Sequence, residues 1–256
     1  MTDDSAWPRG QPFRLHDVRV ARGTSEILRG VDLTFEPGYR YVLIGASGAG
    51  KSTLLRLLNR LDDPDSGTLS IGDIPLRGLT IRVVRSAVGL VFQAPRPLPG
   101  RLLDNLAYPF EVRGLAVPEP DRLAGMLDEV GLDPIWLDRD ASALSGGERQ
   151  RLAIAASLAI GPEFLVMDEP TSALDPASAH RVAAMLERRA ASGLRTIVVT
   201  HNREQAARLG DRTIRLEAGR VVDQGPTSDV LARADASIWN GSGEERGSLE
   251  DVRTRS

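Results

Sequence analysis

The only lysine of the chain lies in a glycine-rich run. Residues 45–53 read GASGAGKST, which fits the pattern G-x-x-x-x-G-K-[ST], and Lys51 is the single lysine among 32 lysine and arginine residues. The glycines permit backbone conformations that turn consecutive N–H groups toward phosphate oxygens, and a lysine ammonium is compact enough to join them. The run therefore predicts a phosphate-binding loop, with Lys51 on the β- and γ-phosphates and the Ser52 hydroxyl on Mg²⁺. The predicted nucleotide contacts of this loop are Gly45, Ala46, Ser47, Gly48, Ala49, Gly50, Lys51, Ser52 and Thr53.

Two carboxylates follow a short apolar run later in the chain. Residues 164–167 read FLVM, and Asp168 and Glu169 come directly after them. The carboxyl end of such a strand lies at the edge of a parallel sheet, where ligands bind in α/β folds. We expect Asp168 to hold Mg²⁺, directly or through water. We expect Glu169 to orient or deprotonate the water that attacks the phosphate.

A second phosphate-ready helix start lies between these two motifs. Residues 144–151 read LSGGERQR, in which Ser145 and two glycines open a segment with helical spacing. A serine cap followed by glycines exposes backbone N–H groups at the positive end of the helix dipole, although a simple helix cap has the same sequence. The presence of two phosphate-ready helix starts in separate segments requires an explanation. The order of all the motifs along the chain provides it.

The segments around these motifs alternate between strand and helix. The apolar run 40–44 precedes the glycine loop and the leucine-rich segment 53–61 follows it, which is the strand–loop–helix context that the loop requires. Residues 94–161 change to a helical pattern after three prolines, which predicts a helical subdomain inserted into an α/β core. We also predict strands at 13–20, 27–35, 68–76, 87–92, 164–167, 196–200, 213–216 and 221–223, and helices at 102–112, 121–130, 147–160, 177–191 and 204–209.

Length and composition restrict the function further. The 256 residues suffice for one large domain, which we expect at residues 13–236, between a flexible arm (1–12) and a disordered tail (237–256). A net charge of −3 provides no basic field for nucleic acid. The absence of cysteine excludes disulfides and thiolate metal sites. Neither a signal peptide nor an apolar run of about 18 residues is present, which argues against a membrane span.

The ordered set of motifs resembles the ATP-binding cassette (ABC) ATPases. The set consists of GASGAGKST, Gln93 after a strand, LSGGERQR, FLVMDEP, the run SALD that ends at Asp175, and His201 after TIVVT. The resemblance covers about residues 13–230. It implies a P-loop NTPase core with a parallel sheet, an antiparallel β subdomain and the inserted helical subdomain. It also implies that the chain binds ATP with Mg²⁺ and hydrolyses it.

The same resemblance implies roles for residues outside the loop. ABC ATPases form head-to-tail dimers in which the glycine loop of one subunit and the LSGG run of the other enclose ATP. Gln93 would sense Mg²⁺ and water and couple to a membrane partner, and His201 would contact the γ-phosphate and Glu169. Asp175 would relay between the two sites of the homodimer. The residues that would bind the ATP of the opposite subunit are Ser145, Gly146 and Gly147.

One position departs from the family pattern. ABC ATPases usually carry an aromatic residue before a glycine in the loop after the first strand, where it stacks on adenine. This chain has Arg22 there, followed by Gly23. A guanidinium can also stack on a purine. Arg22 therefore either replaces the aromatic ring or is solvated, and the sequence leaves both readings open.

Three functions are compatible with a phosphate-binding loop. The first is the energy-coupling subunit of an ABC transporter, bound to a separate integral-membrane permease at the cytoplasmic face of the membrane, with residues 95–110 receiving the permease. The second is a non-transport ABC ATPase of DNA repair or translation, but neither a long coiled-coil insertion nor a second cassette is present. The third is a GTPase or small-molecule kinase, which would leave LSGGERQR unexplained. We favour the first function.

The transported substrate is less well defined. Residues 93–113 are similar to ATPase subunits of iron-export (Fet-type) systems and, less closely, to phosphate and amino-acid importer ATPases. An ATPase subunit does not reveal the direction of transport.

Overall fold

Two sheets and a set of helices make up the part of the chain that the structure describes. The computed structural model describes residues 6–235 and 238–239. The strands are β1 (Phe13–Arg22), β2 (Ser25–Phe35), β3 (Tyr41–Ile44), β4 (Ser66–Ile71), β5 (Ile74–Pro75), β6 (Val88–Val91), β7 (Phe164–Asp168), β8 (Arg195–Val199), β9 (Arg212–Glu217) and β10 (Arg220–Pro226). The helices are α1 (Lys51–Leu58), α2 (Ile81–Ala87), α3 (Leu102–Glu111), α4 (Pro120–Glu129), α5 (Gly146–Leu158), α6 (Pro176–Ala191), α7 (Arg203–Leu209) and α8 (Thr227–Arg233).

The larger sheet brings the predicted site residues to one edge. Its strand order is β10-β9-β3-β8-β7-β6, and the strands are parallel except for β10. β3 and β8 are buried throughout, as expected for parallel strands that are covered on both faces. The carboxyl ends of β3, β6, β7 and β8 lead into the glycine loop, Gln93, Glu169 and His201 respectively. Because parallel strands end at the same edge, segments far apart in sequence meet there.

The smaller sheet is antiparallel, with the order β2-β1-β4-β5. It packs on the larger sheet through aromatic side chains, including Phe13 on β1 and Phe164 on β7, whose ring centroids lie 5.8 Å apart. Both residues belong to one buried apolar cluster that joins the two sheets. This arrangement matches the predicted α/β core with an antiparallel β subdomain.

The segment between β6 and β7 is helical, as the sequence predicts. Pairs of leucines at i and i+4 place one apolar face on each helix, such as Leu102 and Leu106 on α3 and Leu123 and Leu127 on α4, and all four are buried. These faces pack with α5 in a shared core. The insertion positions Ser145 at the start of α5.

Residues 68–76 do not form the single strand that the sequence analysis expects. β4 ends at Ile71, and Gly72 turns the chain with a φ of 56°. β5 then covers only two residues before a turn of 3₁₀-helix. The glycine adopts a left-handed conformation that residues with a side chain rarely take, and this conformation interrupts the strand.

Helix α2 is absent from the predicted elements. Its first four residues include Ile81, Val83 and Val84, and β-branched side chains favour strands over helices. Thr80 supplies the missing signal, because its hydroxyl accepts a hydrogen bond from the Val83 N–H and caps the helix.

The described part of the predicted flexible arm is held against the core. The Trp7 indole lies edge-on to Phe164, with ring centroids 6.2 Å apart, and its Nε1 donates to Glu163 Oε2 at 2.9 Å. Arg195 Nη1 donates to the backbone oxygen of Gln11 at 2.6 Å. Residues 7–11 therefore differ from the expected loose segment. Residues 1–5 and the predicted tail, apart from Ile238 and Trp239, lie outside the described residues.

Across residues 6–235 and 238–239, no helix has both the length and the apolar character needed to cross a bilayer.

Candidate active site

The glycine loop between β3 and α1 has a conformation that requires glycine. Gly45, Gly48 and Gly50 have φ values of 149°, 78° and 100°. A Cβ atom at Gly45 would lie 2.2 Å from the Leu216 backbone oxygen, and one at Gly50 would lie 2.7 Å from Leu28 Cδ2. The loop therefore packs tightly on its neighbours and leads directly into the N-terminus of α1, which favours anions.

Lys51 is the first residue of α1 and is buried. Its Nζ donates to the backbone oxygens of Gly45 and Ala46, both at 2.8 Å. Burial lowers the pKa of Lys51, and the negative charges of Asp168 and Glu169 act in the opposite direction. The ammonium is thus held inside the loop and interacts electrostatically with the carboxylates at the end of β7.

Gln93 and His201 converge on Glu169 from the two strands beside β7. Gln93 Nε2, after β6, donates to Glu169 Oε2 at 3.1 Å. His201 Nε2, after β8, lies 3.4 Å from Glu169 Oε1. Each carboxylate oxygen of Glu169 therefore has one polar neighbour, so the carboxylate is oriented from both sides.

The backbone of Glu169 is also constrained. Its φ is 46°, a left-handed conformation that non-glycine residues rarely adopt. The Glu169 N–H donates to the Val199 oxygen at 3.0 Å, and the Glu169 backbone oxygen accepts from the Ser172 hydroxyl at 3.0 Å. Strained backbone of this kind is held in place by its surroundings and concentrates at functional sites.

Ser145 begins α5 with a reciprocal cap. Its hydroxyl accepts from the Glu148 N–H at 3.3 Å, and Glu148 Oε2 accepts from the Ser145 N–H at 2.7 Å. The second bond lowers the pKa of Glu148. A Cβ atom at Gly146 would meet no atom within 4 Å, whereas one at Gly147 would lie 3.0 Å from the Ala173 oxygen. The helix start is therefore open on one side and touches the segment before α6 on the other.

Asp175 caps α6 rather than pointing into the cluster around Glu169. It is exposed, and its carboxylate accepts from the Ser178 N–H at 3.0 Å. Hydrogen bonds from Ser178 lower the pKa of Asp175.

Arg22 lies at the end of β1 and forms an ion pair with Asp62. Its Nη2 is 2.6 Å from Asp62 Oδ2, and the same oxygen accepts from Arg56 Nε at 2.8 Å. The Arg22 side chain is 59% exposed. No local pattern marks Asp62 as its partner, because the two residues are 40 positions apart.

The predicted site residues thus fall into four groups. The glycine loop, Asp168, Glu169, Gln93 and His201 share one edge of the larger sheet. Arg22 lies at the end of β1 in the smaller sheet. Among the described residues, no hydrogen bond or ion pair joins the helix start at 145–147 to the glycine loop. The remaining residue, Asp175, caps α6.

The donor set suits a magnesium ion that also binds a substrate. The Ser52 hydroxyl, the Gln93 amide oxygen and the Asp168 carboxylate are hard oxygen donors, which Mg²⁺ prefers. No group of three or more His, Cys, Asp or Glu side chains in the described ranges could hold a metal by itself. Mg²⁺ is usually bound by one or two carboxylates together with phosphate oxygens, and Asp168 supplies one such carboxylate.

Comparisons with known proteins agree with this geometry. A family model described as "ABC transporter" matches residues 28–172. The chain belongs to the ABC transporter family. Its fold is the ABC ATPase fold, as predicted, and with the family come ATP binding and ATP hydrolysis, so the chain is an ATPase.

Relatives and a solved structure extend this result. The methionine import ATP-binding protein MetN of Bordetella avium is 41% identical over 82% of this chain, which spans 59% of the length of MetN. The phosphate import ATP-binding protein PstB 2 of Lactobacillus johnsonii is 40% identical over 87% of this chain and 93% of its own length. The ATP-binding cassette MJ0796, solved as a post-hydrolysis dimer with ADP and Pi, has a TM-score of 0.77 and 29% identity, covering 84% of this chain and 98% of MJ0796.

Proposed function

We propose that this ABC ATPase is the energy-coupling subunit of a transporter and drives a separate integral-membrane permease. The observation that carries the hydrolysis part of this proposal is the convergence of Gln93 and His201 on Glu169, at the sheet edge that also bears the glycine loop and Lys51. The relatives support a transport role, because two of them are named as import ATP-binding proteins.

The site suggests a role for each residue in hydrolysis. Lys51 binds the β- and γ-phosphates within the cradle of residues 45–53. Glu169 orients or deprotonates the attacking water, since phosphoryl transfer depends on positioning and electrostatic stabilisation. Gln93 and His201 hold the two oxygens of the Glu169 carboxylate, and His201 also contacts the γ-phosphate.

Mg²⁺ is assigned to the oxygen donors at the same edge. The Ser52 hydroxyl, Gln93 and Asp168 would hold the ion, directly or through water. When bound, it would neutralise charge on the phosphates. Asp168 supplies the one carboxylate of this set, so its position at the end of β7 is the main protein contribution to the metal site.

A second copy of the chain is the proposed source of the remaining ATP contacts. Ser145, Gly146 and Gly147 form a phosphate-ready helix start that is open on one side and is not bonded to its own glycine loop. In a head-to-tail homodimer, this helix start would close over ATP held by the opposite subunit. Asp175, exposed at the start of α6, would relay between the two sites. The dimeric structure of MJ0796 supports this assembly.

The proposed permease surface lies on both sides of Gln93 in the sequence. A groove of about 410 Å³ runs between β6 and α3. The groove lining includes Phe92, Leu98 and Tyr108, which are 42%, 40% and 47% exposed. Exposed apolar side chains in a groove suit an amphipathic helix of a partner. Binding there would keep the chain at the cytoplasmic face of the membrane. The likeness of residues 93–113 to iron-export subunits stays a prediction about the transported substrate.

Affinity capture tests whether the chain binds an integral-membrane permease. We expect the tagged chain, purified from detergent-solubilised membranes of its own cells, to recover an integral-membrane protein. Tyr108→Glu should reduce this recovery about tenfold or more, because a charge would be buried in the apolar groove. The matched control is Ile135→Glu, since Ile135 is 82% exposed and lies outside the groove. Recovery of a soluble protein or a nucleic acid instead would support the non-transport alternative.

A further inference from the structure

Gln150 is a fully buried polar side chain that connects two parts of the site. It lies in the second turn of α5, is 0% exposed, and its Nε2 donates to the backbone oxygen of Phe92 at 3.2 Å. Phe92 immediately precedes Gln93. The bond therefore holds the backbone at the point from which the Gln93 side chain extends to Glu169.

The last residue pair of strand β6 lies one residue before this point of the backbone. β6 is the edge strand of the larger sheet, and its last pair joins Val91 to Met167. Phe92 lies beyond that pair with an exposed side chain. Among the described residues, Gln150 is the only side chain that donates a hydrogen bond to the Phe92 oxygen.

Packing alone does not account for a glutamine at this position. Gln150 Oε1 is buried and accepts no hydrogen bond from the residues that the structure describes. Burying an unpartnered amide oxygen is destabilising, and an apolar side chain of similar volume would avoid that cost. The favourable contribution of the amide is therefore the bond that it donates to Phe92.

A neighbouring contact shows what a purely structural link looks like. The hydroxyl oxygen of Ser157, on α5, lies 3.4 Å from the backbone oxygen of Leu90, on β6. Gly89 allows the helix and the strand to lie this close, because a Cβ atom there would lie 3.1 Å from the Ser157 backbone oxygen. The Ser157 contact joins α5 to the body of β6 and does not touch the residue before Gln93.

We propose that Gln150 is a positioning residue for hydrolysis. Its bond to Phe92 fixes the start of the Gln93 segment and thereby the 3.1 Å contact between Gln93 and Glu169. Because α5 begins at the Ser145 cap, a displacement of that helix start is transmitted through Gln150 to Gln93. The proposal rests on the proposed function, since it requires Glu169 to act on the attacking water.

The test is a double-mutant cycle measured on the purified full chain. Gln150→Met preserves side-chain volume and removes the donor. We expect kcat to fall about fivefold to tenfold, the loss expected for one hydrogen bond, while KM for ATP changes less than about twofold. If Gln150 acts through Gln93, then Gln93→Ala and the double variant should have the same kcat. Independent, multiplicative losses would overturn the proposal.

Two further variants separate positioning from folding. Ser157→Ala should leave kcat unchanged, and a loss equal to that of Gln150→Met would overturn the proposal. Gln150→Glu should regain activity relative to the wild type as the pH falls, because only the neutral acid can donate to the Phe92 oxygen. A pH-independent ratio would count against the donated bond.

The roles of Gln93 and Gln150 can be distinguished by comparing the two single variants. If Gln93→Ala hydrolyses ATP normally, the proposed role of Gln93 is wrong and the proposal for Gln150 falls with it. If Gln93→Ala is impaired and Gln150→Met is normal, only the proposal for Gln150 is overturned.

Discussion

The guanidinium of Arg22 is oriented by a carboxylate that is itself held in place. Asp62 is only 18% exposed and pairs with both Arg22 and Arg56. The bond from Arg56 lowers the pKa of Asp62, so the carboxylate stays ionised under ordinary conditions. A guanidinium already fixed by a partner loses less conformational freedom when a base stacks on it. We therefore propose that Arg22 stacks on adenine rather than being solvated.

Truncation of Arg22 tests this role. We expect Arg22→Ala to weaken ATP binding about twofold to fivefold, the range of one exposed cation–π contact. Isothermal titration calorimetry with Mg²⁺ would measure the dissociation constant. Arg19→Ala is the matched control, because Arg19 lies on the same strand and also forms exposed ion pairs. An unchanged dissociation constant for Arg22→Ala would mean that Arg22 is solvated.

At the residue scale, the sequence predicts contacts that a local motif contains. The glycine loop and the helix cap at Ser145 are of this kind, since their partners lie within a few positions. The contacts of Arg22 with Asp62 and of Gln150 with Phe92 span 40 and 58 positions, and no spacing rule marks them. The meeting of Gln93, His201 and Glu169 is intermediate, because it follows from the order of parallel strands.

At the scale of elements, the N-terminal segment packs against residues at the starts of β7 and β8. Glu163, before β7, accepts from Trp7 Nε1 and from the Gly10 N–H, at 2.9 and 3.0 Å. Glu163 also pairs with Arg195, at the start of β8, and both are buried. Burial lowers the pKa of Arg195, and its bond to Glu163 opposes that shift. A buried pair of this kind depends on every donor that satisfies it.

Two substitutions of Trp7 should lower thermal stability by different amounts. Trp7→Ala removes ring packing and the bond to Glu163, and we expect a loss of about 2 kcal/mol, or about 4–8 °C in Tm. Trp7→Phe keeps a ring beside Phe164 and removes only the donor, so about 1 kcal/mol should be lost. Circular dichroism during thermal unfolding would measure both. Wild-type Tm in both variants would contradict docking of the segment.

The sequence predicts helices and strands correctly where hydrophobic periodicity is the dominant signal. Apolar strands and leucine-spaced helices were found because burial on one face requires that periodicity. The flexible arm was expected because residues 1–12 are polar and lack periodicity. The packing of this segment depends instead on single contacts of Trp7 and Gln11 with residues more than 150 positions away. Periodicity in the sequence cannot reveal such contacts.

At the scale of the whole molecule, the two phosphate-ready helix starts belong to different parts of one chain. Lys51 lies at the start of α1 in the core, whereas Ser145 lies at the start of α5 in the helical insertion. The open side of Gly146 leaves this second helix start free to meet a ligand from outside the chain. We propose that ATP held by the loop of another copy binds at that position, and this geometry would make hydrolysis depend on dimerisation.

Blocking hydrolysis should therefore trap a dimer. Glu169→Gln keeps the shape of the side chain and removes its charge, so we expect kcat to fall about 100-fold or more with little change in ATP affinity. With Mg²⁺ and ATP, size-exclusion chromatography should show this variant at twice the mass of the monomer, and with ADP at the monomer mass. Normal turnover would refute the role of Glu169.

A second substitution in the Glu169→Gln background tests the trans arrangement. Ser145→Arg should abolish the ATP-dependent dimer, because a large side chain would fill the open helix start, while each monomer still binds ATP through its own loop. Ser142→Arg is the matched control, since Ser142 is also exposed and lies three residues before the cap. If Ser145→Arg abolished ATP binding to the monomer, both helix starts would have to serve the same ATP within one chain.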